Sequence, residues 1–289
     1  MEEIRLTATK EMNVNGVSLA YVEQGTGSPV ILVHGNLSDY RMWEGQMGPF
    51  SQQHRVIAYS RRYAYPGRAT DDSVGYTVVP HAKDLAALIQ QLNAGPVHLV
   101  GHSYGAYTAL LTAIEHPELV KSLCLGEPPA MSLLTNTEEG NVLLFEFETN
   151  TVLPAAQAYN RGDDLTAVKI FLDGVMGKPN FYDTMPPEVQ QQIWDNMQEL
   201  RGIVTSSIIF LPPFITCADV RKVKAPILLI TGDSSPKLMT AIITELERCL
   251  SNKERVTLSH ASHEMEMDNP QEFNEAVLRF IQKHEHNST

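Results

Sequence analysis

The chain has 289 residues, 43% of them hydrophobic and 19% charged, enough for one large α/β domain with a sizeable core. Its formal net charge of -12 argues against nucleic acid or an anionic membrane as the main partner. No apolar run approaches the roughly 18 residues of a membrane span, and the N-terminal MEEIRLTATK lacks the apolar stretch of a signal peptide. The three cysteines, Cys124, Cys217 and Cys249, are odd in number and far apart. They read as free thiols of a soluble, cytoplasmic protein rather than a disulfide framework.

In chain order, Val17–Val22 alternates like a strand and meets a Gly/Ser/Pro turn. Val30–Val33 is a continuous apolar run of the buried parallel type and ends in His34-Gly35-Asn36-Leu37. A helix-like stretch from Tyr40 to Phe50 precedes a strand at Arg55–Tyr59. The polar loop that follows carries Arg61, Arg62 and Arg68. Arg61 and Arg62 are suited either to a substrate carboxylate or to pairing with acidic side chains. Pro80–Leu92 has helical spacing, with Leu85, Leu88, Ile89 and Leu92 on one side.

Val97–Val100 then runs as a strand into Gly101-His102-Ser103-Tyr104-Gly105, and a helix-forming stretch starts at once. A serine between strand and helix within one residue needs strained backbone angles and glycines on both sides. In return its hydroxyl stands at the carboxyl edge of a sheet, and the Tyr104 N–H at the helix start can face a developing anion. A strand at Val120–Leu125 ends in Gly126-Glu127-Pro128-Pro129. From about Ser132 to Phe214 the alternation breaks into a proline- and Met-rich stretch with one strong helix candidate, Pro187–Val204. Its apolar residues, among them Phe145, Phe147, Phe171, Met176, Trp194, Met197 and Phe210, are expected to fill its own core, with one or two lining a pocket. A strand at Ala225–Ile230, a helix at Lys237–Leu250, a strand at Arg255–Leu258 and a closing helix at Pro270–Lys283 complete the pattern. Strands alternating with helices imply a mostly parallel sheet covered on both faces.

These motifs together resemble the α/β-hydrolase fold family. Gly101–Gly105 is similar to its nucleophile elbow, His34-Gly35 to its oxyanion loop, and Ala261-Ser262-His263 to its catalytic-histidine loop, where glycine usually replaces Ser262. The resemblance implies a core of residues 1–131 and 215–289 with a helical cap at 132–214. It implies Ser103 as nucleophile, His263 as base, and the backbone N–H groups of Asn36 and Tyr104 as oxyanion donors. Most members carry the acid about three residues beyond Gly232, where this chain has Ser235. Two substitutes remain open, Glu127 and Asp233. Glu127 is preferred because its longer side chain suits the more distant strand, and zearalenone-lactonase-like hydrolases and certain haloalkane dehalogenases carry their acid there. His260 is read as strand-end surface, His102 as packing or bonding locally, His98 as part of a strand and His34 as bracing its loop. The expected activity is hydrolysis of a small or medium, largely apolar ester or lactone, without cofactor or metal. Other chemistry on the same residues (C–C bond hydrolysis, perhydrolysis, cyanohydrin cleavage) and a ligand-binding receptor are the alternatives.

Overall fold

The computed structural model describes residues 8–67, 76–205 and 213–285, so Arg68 and Phe210 lie outside the described residues. Eight strands form one sheet in the order β1-β2-β4-β3-β5-β6-β7-β8. They are β1 (Lys10–Val14), β2 (Val17–Gln24), β3 (Pro29–Val33), β4 (Arg55–Tyr59), β5 (Val97–His102), β6 (Val120–Gly126), β7 (Ile227–Gly232) and β8 (Lys253–Leu258). β2 pairs antiparallel with both β1 and β4, and all strands from β4 onward pair in parallel. Strand β1 has no counterpart in the sequence reading, because KEMNV alternates too weakly to stand out and is half exposed.

The core is divided by the sheet. Side chains alternate along each parallel strand, so Ile31 and Val33 of β3 join one cluster while Val30 and Leu32 join the other. On the first face pack α2 (Val78–Gln91), α3 (Tyr104–Glu115) and, further on, a helix at Lys237–Cys249. On the second face pack α1 (Glu44–Ser51) and the closing helix at Pro270–Lys283, through Trp43, Phe50, Phe273 and Phe280. Both faces of the central strands are covered, which is why those strands read as unbroken apolar runs.

Between β6 and β7 the chain leaves the sheet and forms α4 (Glu138–Phe147), α5 (Leu153–Asn160), α6 (Asp164–Met176), α7 (Phe181–Thr184), α8 (Pro187–Asp195) and α9 (Met197–Thr205). The single helix expected over Pro187–Val204 is two helices. The break falls at Asn196, a fully buried residue whose side chain accepts from the Tyr65 N–H at 2.7 Å and donates to Asp39 Oδ2 at 2.7 Å. Phe147 and Phe171 are buried as expected, whereas Phe145 is 68% exposed and Trp194 36%. After α10 (Cys217–Val220) the sheet resumes, followed by α11 (Lys237–Cys249), α12 (Met265–Asp268) and α13 (Pro270–Lys283). Cys217 and Cys249 form a disulfide across α10 and α11, with Cα atoms 5.0 Å apart, and only Cys124 is free. This corrects the reading of three free thiols. The partners are 32 positions apart, and only the fold brings their helices together.

Candidate active site

Five side-chain or backbone groups converge at the carboxyl ends of β3, β5, β6 and β8. Ser103 follows β5 with φ 51° and ψ -123°, the strained turn predicted between strand and helix. Its neighbours have no room for side chains. A Cβ on Gly101 would lie 2.6 Å from the Ala106 Cα, and one on Gly105 only 2.1 Å from the Val33 carbonyl oxygen. The elbow therefore packs directly onto the end of β3, and Gly35 in turn approaches Ser103, where an added Cβ would sit 3.2 Å from the serine Cβ. Asn36, next in the chain, and Tyr104, the first residue of α3, line the same pocket as Ser103.

The histidine loop meets the elbow from the far side. His263 Nε2 lies 3.1 Å from Ser103 Oγ, and its Nδ1 lies 2.7 Å from Glu127 Oε2. Of the two carboxylates left open by the sequence, Glu127 is the one that reaches the imidazole. It is fully buried and holds its backbone at φ 44°. Its other oxygen accepts a hydrogen bond from Thr231 Oγ1 at 2.5 Å. Burial alone would raise its pKa, but hydrogen bonds from His263, Ser235 and Thr231 and the pull of His263 outweigh this and hold it below the ordinary carboxylate range. Ser235, at the position where the resemblance placed the usual acid, thus supports the carboxylate that arrives from β6. Asp233 is turned outward and accepts from the backbone N–H groups of His260 (2.9 Å) and Ala261 (3.3 Å), closing the loop before His263.

The remaining histidines brace this frame. His34 Nδ1 donates to its neighbour's Gly35 carbonyl at 2.7 Å, while Nε2 accepts the Arg61 N–H at 2.8 Å. That Nε2 is an acceptor agrees with burial and the nearby Arg61 charge lowering the His34 pKa. His102 Nε2 donates to the His263 carbonyl at 2.8 Å, which fixes the loop that presents the imidazole. Its Nδ1 faces Glu266 Oε1 at 3.6 Å, in a pair buried to the same degree as the core. The donor atoms of His102, Glu264 and Glu266 lie within 4.8 Å of one another, the one grouping of metal-ligand type found among the described residues. At 3.6 Å His102 and Glu266 are not hydrogen-bonded to each other, and both are buried. Burial pushes Glu266 up to about 8, against the pull of His102.

Arg61 and Arg62, open in the sequence to two roles, are both buried and both paired with acids. Arg62 makes two bonds of 2.7 Å to Asp84, and Arg61 lies 2.7 Å from Glu199, a residue no motif had marked. Above Ser103 the pocket is walled by apolar groups from the insertion and the sheet edge, including Met131, Phe147, Phe171, Val175, Ile203 and Met239. Among the described residues no lysine or arginine lines it, and Glu264 carries its one carboxylate.

A mostly parallel sheet with a serine elbow, a histidine after the last strand and helices inserted beyond β6 defines the class. The family model of the alpha/beta hydrolase fold matches residues 28–270, and the chain belongs to that family. It is 23% identical over 276 residues to the 2-hydroxy-6-oxo-6-(2'-aminophenyl)hexa-2,4-dienoic acid hydrolase of Metapseudomonas resinovorans, covering 94% of this chain and 90% of the relative. It is 25% identical over 281 residues to the 2-(acetamidomethylene)succinate hydrolase of Mesorhizobium japonicum, covering 94% and 95%. Among solved structures it is similar to an N-acyl homoserine lactone degrading enzyme, with a TM-score of 0.73 at 20% identity over 94% of this chain and 100% of the other. No described helix is long and apolar enough to cross a membrane.

Proposed function

We propose that the protein is a serine hydrolase that cleaves an uncharged, largely apolar carboxylic ester or lactone through an acyl-enzyme on Ser103. The observation that carries this reading is the relay from Ser103 through His263 to a buried Glu127, standing at the floor of an apolar pocket without a described cation. A serine hydroxyl is a weak nucleophile until a neighbouring base takes its proton. His263 Nε2 accepts that proton as Ser103 Oγ attacks the carbonyl carbon. Glu127, held ionised, fixes the Nδ1–H tautomer and stabilises the imidazolium. The N–H groups of Asn36 and Tyr104 receive the oxyanion, and His263 returns the proton to the leaving alkoxide. Water then attacks the acyl-enzyme with His263 again as base. The helices between residues 132 and 214 act as the cap that shapes the pocket.

The same relay supports a second reading, which the first two relatives favour because each is named for hydrolysis of a carboxylic acid substrate. An acid of that kind needs a cation in the pocket to hold its charge. The described wall offers Glu264 instead, and this supports the neutral ester or lactone.

The test is hydrolysis of p-nitrophenyl acetate through octanoate by wild type and Ser103→Ala, with fluorophosphonate labelling of both. Hydrolysis and labelling lost in the variant, with a preference for acyl chains of four carbons or more, are the expected result. A wild type that is folded but neither labelled nor active sinks the reading. A wild type that turns over only dienoic acid substrates moves the assignment to the second one.

A further inference from the structure

Glu199 stands on α9, in the insertion, yet its carboxylate is buried against the loop after β3 and not against the insertion's own core. Oε2 accepts the Leu37 N–H at 2.8 Å, and Oε1 lies 2.7 Å from Arg61 Nη2. That same guanidinium donates to the Gly35 carbonyl at 2.8 Å and to the His34 carbonyl at 3.0 Å, and stacks 5.0 Å over the Tyr104 ring. The Gly35 carbonyl belongs to the peptide whose other end is the Asn36 N–H. A peptide is planar and trans, so a bond that fixes its C=O also fixes the direction of its N–H. A cation on the oxygen further polarises that N–H as a donor. Leu37 lies at φ 56°, an unusual angle for a branched residue, and its N–H is the one that Glu199 holds. The links from Asn196 to Asp39 and from Gln192 to Ser38 and Asp39 also join insertion and loop, but they end on side chains and leave the peptides around Asn36 untouched.

We propose that Glu199 and Arg61 form a positioning pair that sets the Asn36 N–H of the oxyanion hole, so that seating of the insertion and completion of that hole are one event. The inference rests on the serine hydrolase reading and deepens it. An acyl substrate held under α9 would then meet a finished oxyanion hole only when α9 is docked. Closure of the insertion is thereby tied to transition-state stabilisation and not to ground-state binding alone.

The experiment compares wild type, Glu199→Gln and Glu199→Ala on p-nitrophenyl butyrate. It measures kcat, KM, melting temperature and the inhibition constant of an alkyl trifluoromethyl ketone, whose adduct carries the oxyanion. Glu199→Gln keeps an acceptor for Leu37 but sets a neutral amide against Arg61, and Glu199→Ala removes both contacts. The expected result is a fall in kcat of roughly 10-fold for Gln and 100-fold or more for Ala, the range seen when an oxyanion donor is displaced. KM stays within about 2-fold, and trifluoromethyl ketone affinity falls in parallel with kcat. If Glu199→Ala fails to fold, Glu199→Gln carries the same comparison. A folded Gln variant with unchanged kcat and ketone affinity, or with only a raised KM, overturns the role of Glu199 while leaving the hydrolase reading intact. A wild type that is neither active on the ester nor labelled by fluorophosphonate removes the hydrolase reading, and the role of Glu199 falls with it.

Discussion

Ser103 and Glu127 hold their backbones at φ 51° and 44°, a region that only glycine enters freely. Each stands where a strand of the sheet ends and its side chain must turn into the space between loops. Such strain persists only where the surroundings over-determine it, and here both residues reach the same imidazole. On the proposed mechanism, Glu127→Gln is expected to lower kcat by roughly 10³- to 10⁴-fold, since it removes the carboxylate that fixes the His263 tautomer. Asp233→Asn, altering an exposed carboxylate that closes the 260–261 turn, is expected to leave kcat within about 3-fold. Steady-state kinetics with the reverse ranking would return the acid to Asp233. Beside this relay, His102 and Glu266 take up a proton more tightly than either does in water, because burial disfavours the carboxylate and the carboxylate in turn favours the imidazolium. Glu264, Asp268, Glu127 and the His263 carbonyl face the pair and act in the same direction on His102 or Glu266. The folded state thus binds more protons than the unfolded chain above the ordinary carboxylate pKa of 4.5, so this contribution to stability is full at low pH and is lost as pH rises through about 8. Glu266→Gln mimics the protonated form. Relative to wild type its melting temperature should therefore improve between pH 6 and pH 9, and a difference that does not change with pH would show that the pair does not titrate there.

At the scale of elements, the break between α8 and α9 shows what side chains decide that periodicity does not. Pro187–Val204 carries a continuous helical pattern, but Asn196 gives its side chain to Asp39 and Tyr65 and ends the first helix at Asp195. Asn196→Ala removes the side-chain acceptor of the Tyr65 N–H and one of the donors to the buried Asp39. The expected loss is about 2 kcal/mol, read as a melting temperature lower by roughly 4–8 °C. An unchanged melting point would mean that the helix break is set elsewhere. The sheet was legible because its parallel strands are buried on both faces and so are apolar throughout, as in Val30–Val33 and Ile227–Ile230. The elbow was legible because close packing at Gly101 and Gly105 leaves a trace in the sequence. The insertion was not. Its helices bury their apolar side chains against each other and against the pocket, and no local pattern says which, so Phe145 faces water while Phe171 lines the cavity. Glu199 was invisible for a related reason: an acid in a helix is ordinarily a solvated one, and its partner, Arg61, lies far back in the chain, before the insertion begins.

The whole molecule joins a sheet with two cores to an inserted set of helices, and the covalent link between Cys217 and Cys249 sits where the chain returns from one to the other. Cys217 opens α10, just past the end of the insertion, and Cys249 closes α11, whose Leu238, Met239 and Ile242 pack into the core beneath it. The bridge therefore ties the exit of the insertion to a helix anchored on the sheet. Closing a loop of 32 residues removes chain entropy from the unfolded state, and for a loop of that length the stabilisation is about 3–4 kcal/mol. Its Cα separation of 5.0 Å is within the range that a disulfide spans without backbone movement. Thiol titration of the denatured chain without reductant should accordingly find one reactive cysteine, Cys124, and all three after reduction. The double replacement of Cys217 and Cys249 by serine should lower the melting temperature by about 5–10 °C. Ester hydrolysis at 25 °C should change little, because neither cysteine lines the pocket above Ser103. Three thiols in the unreduced protein would instead restore the reading of free cysteines, and the seat of the insertion would then rest on its packing and polar contacts, those of Glu199 and Asn196 among them.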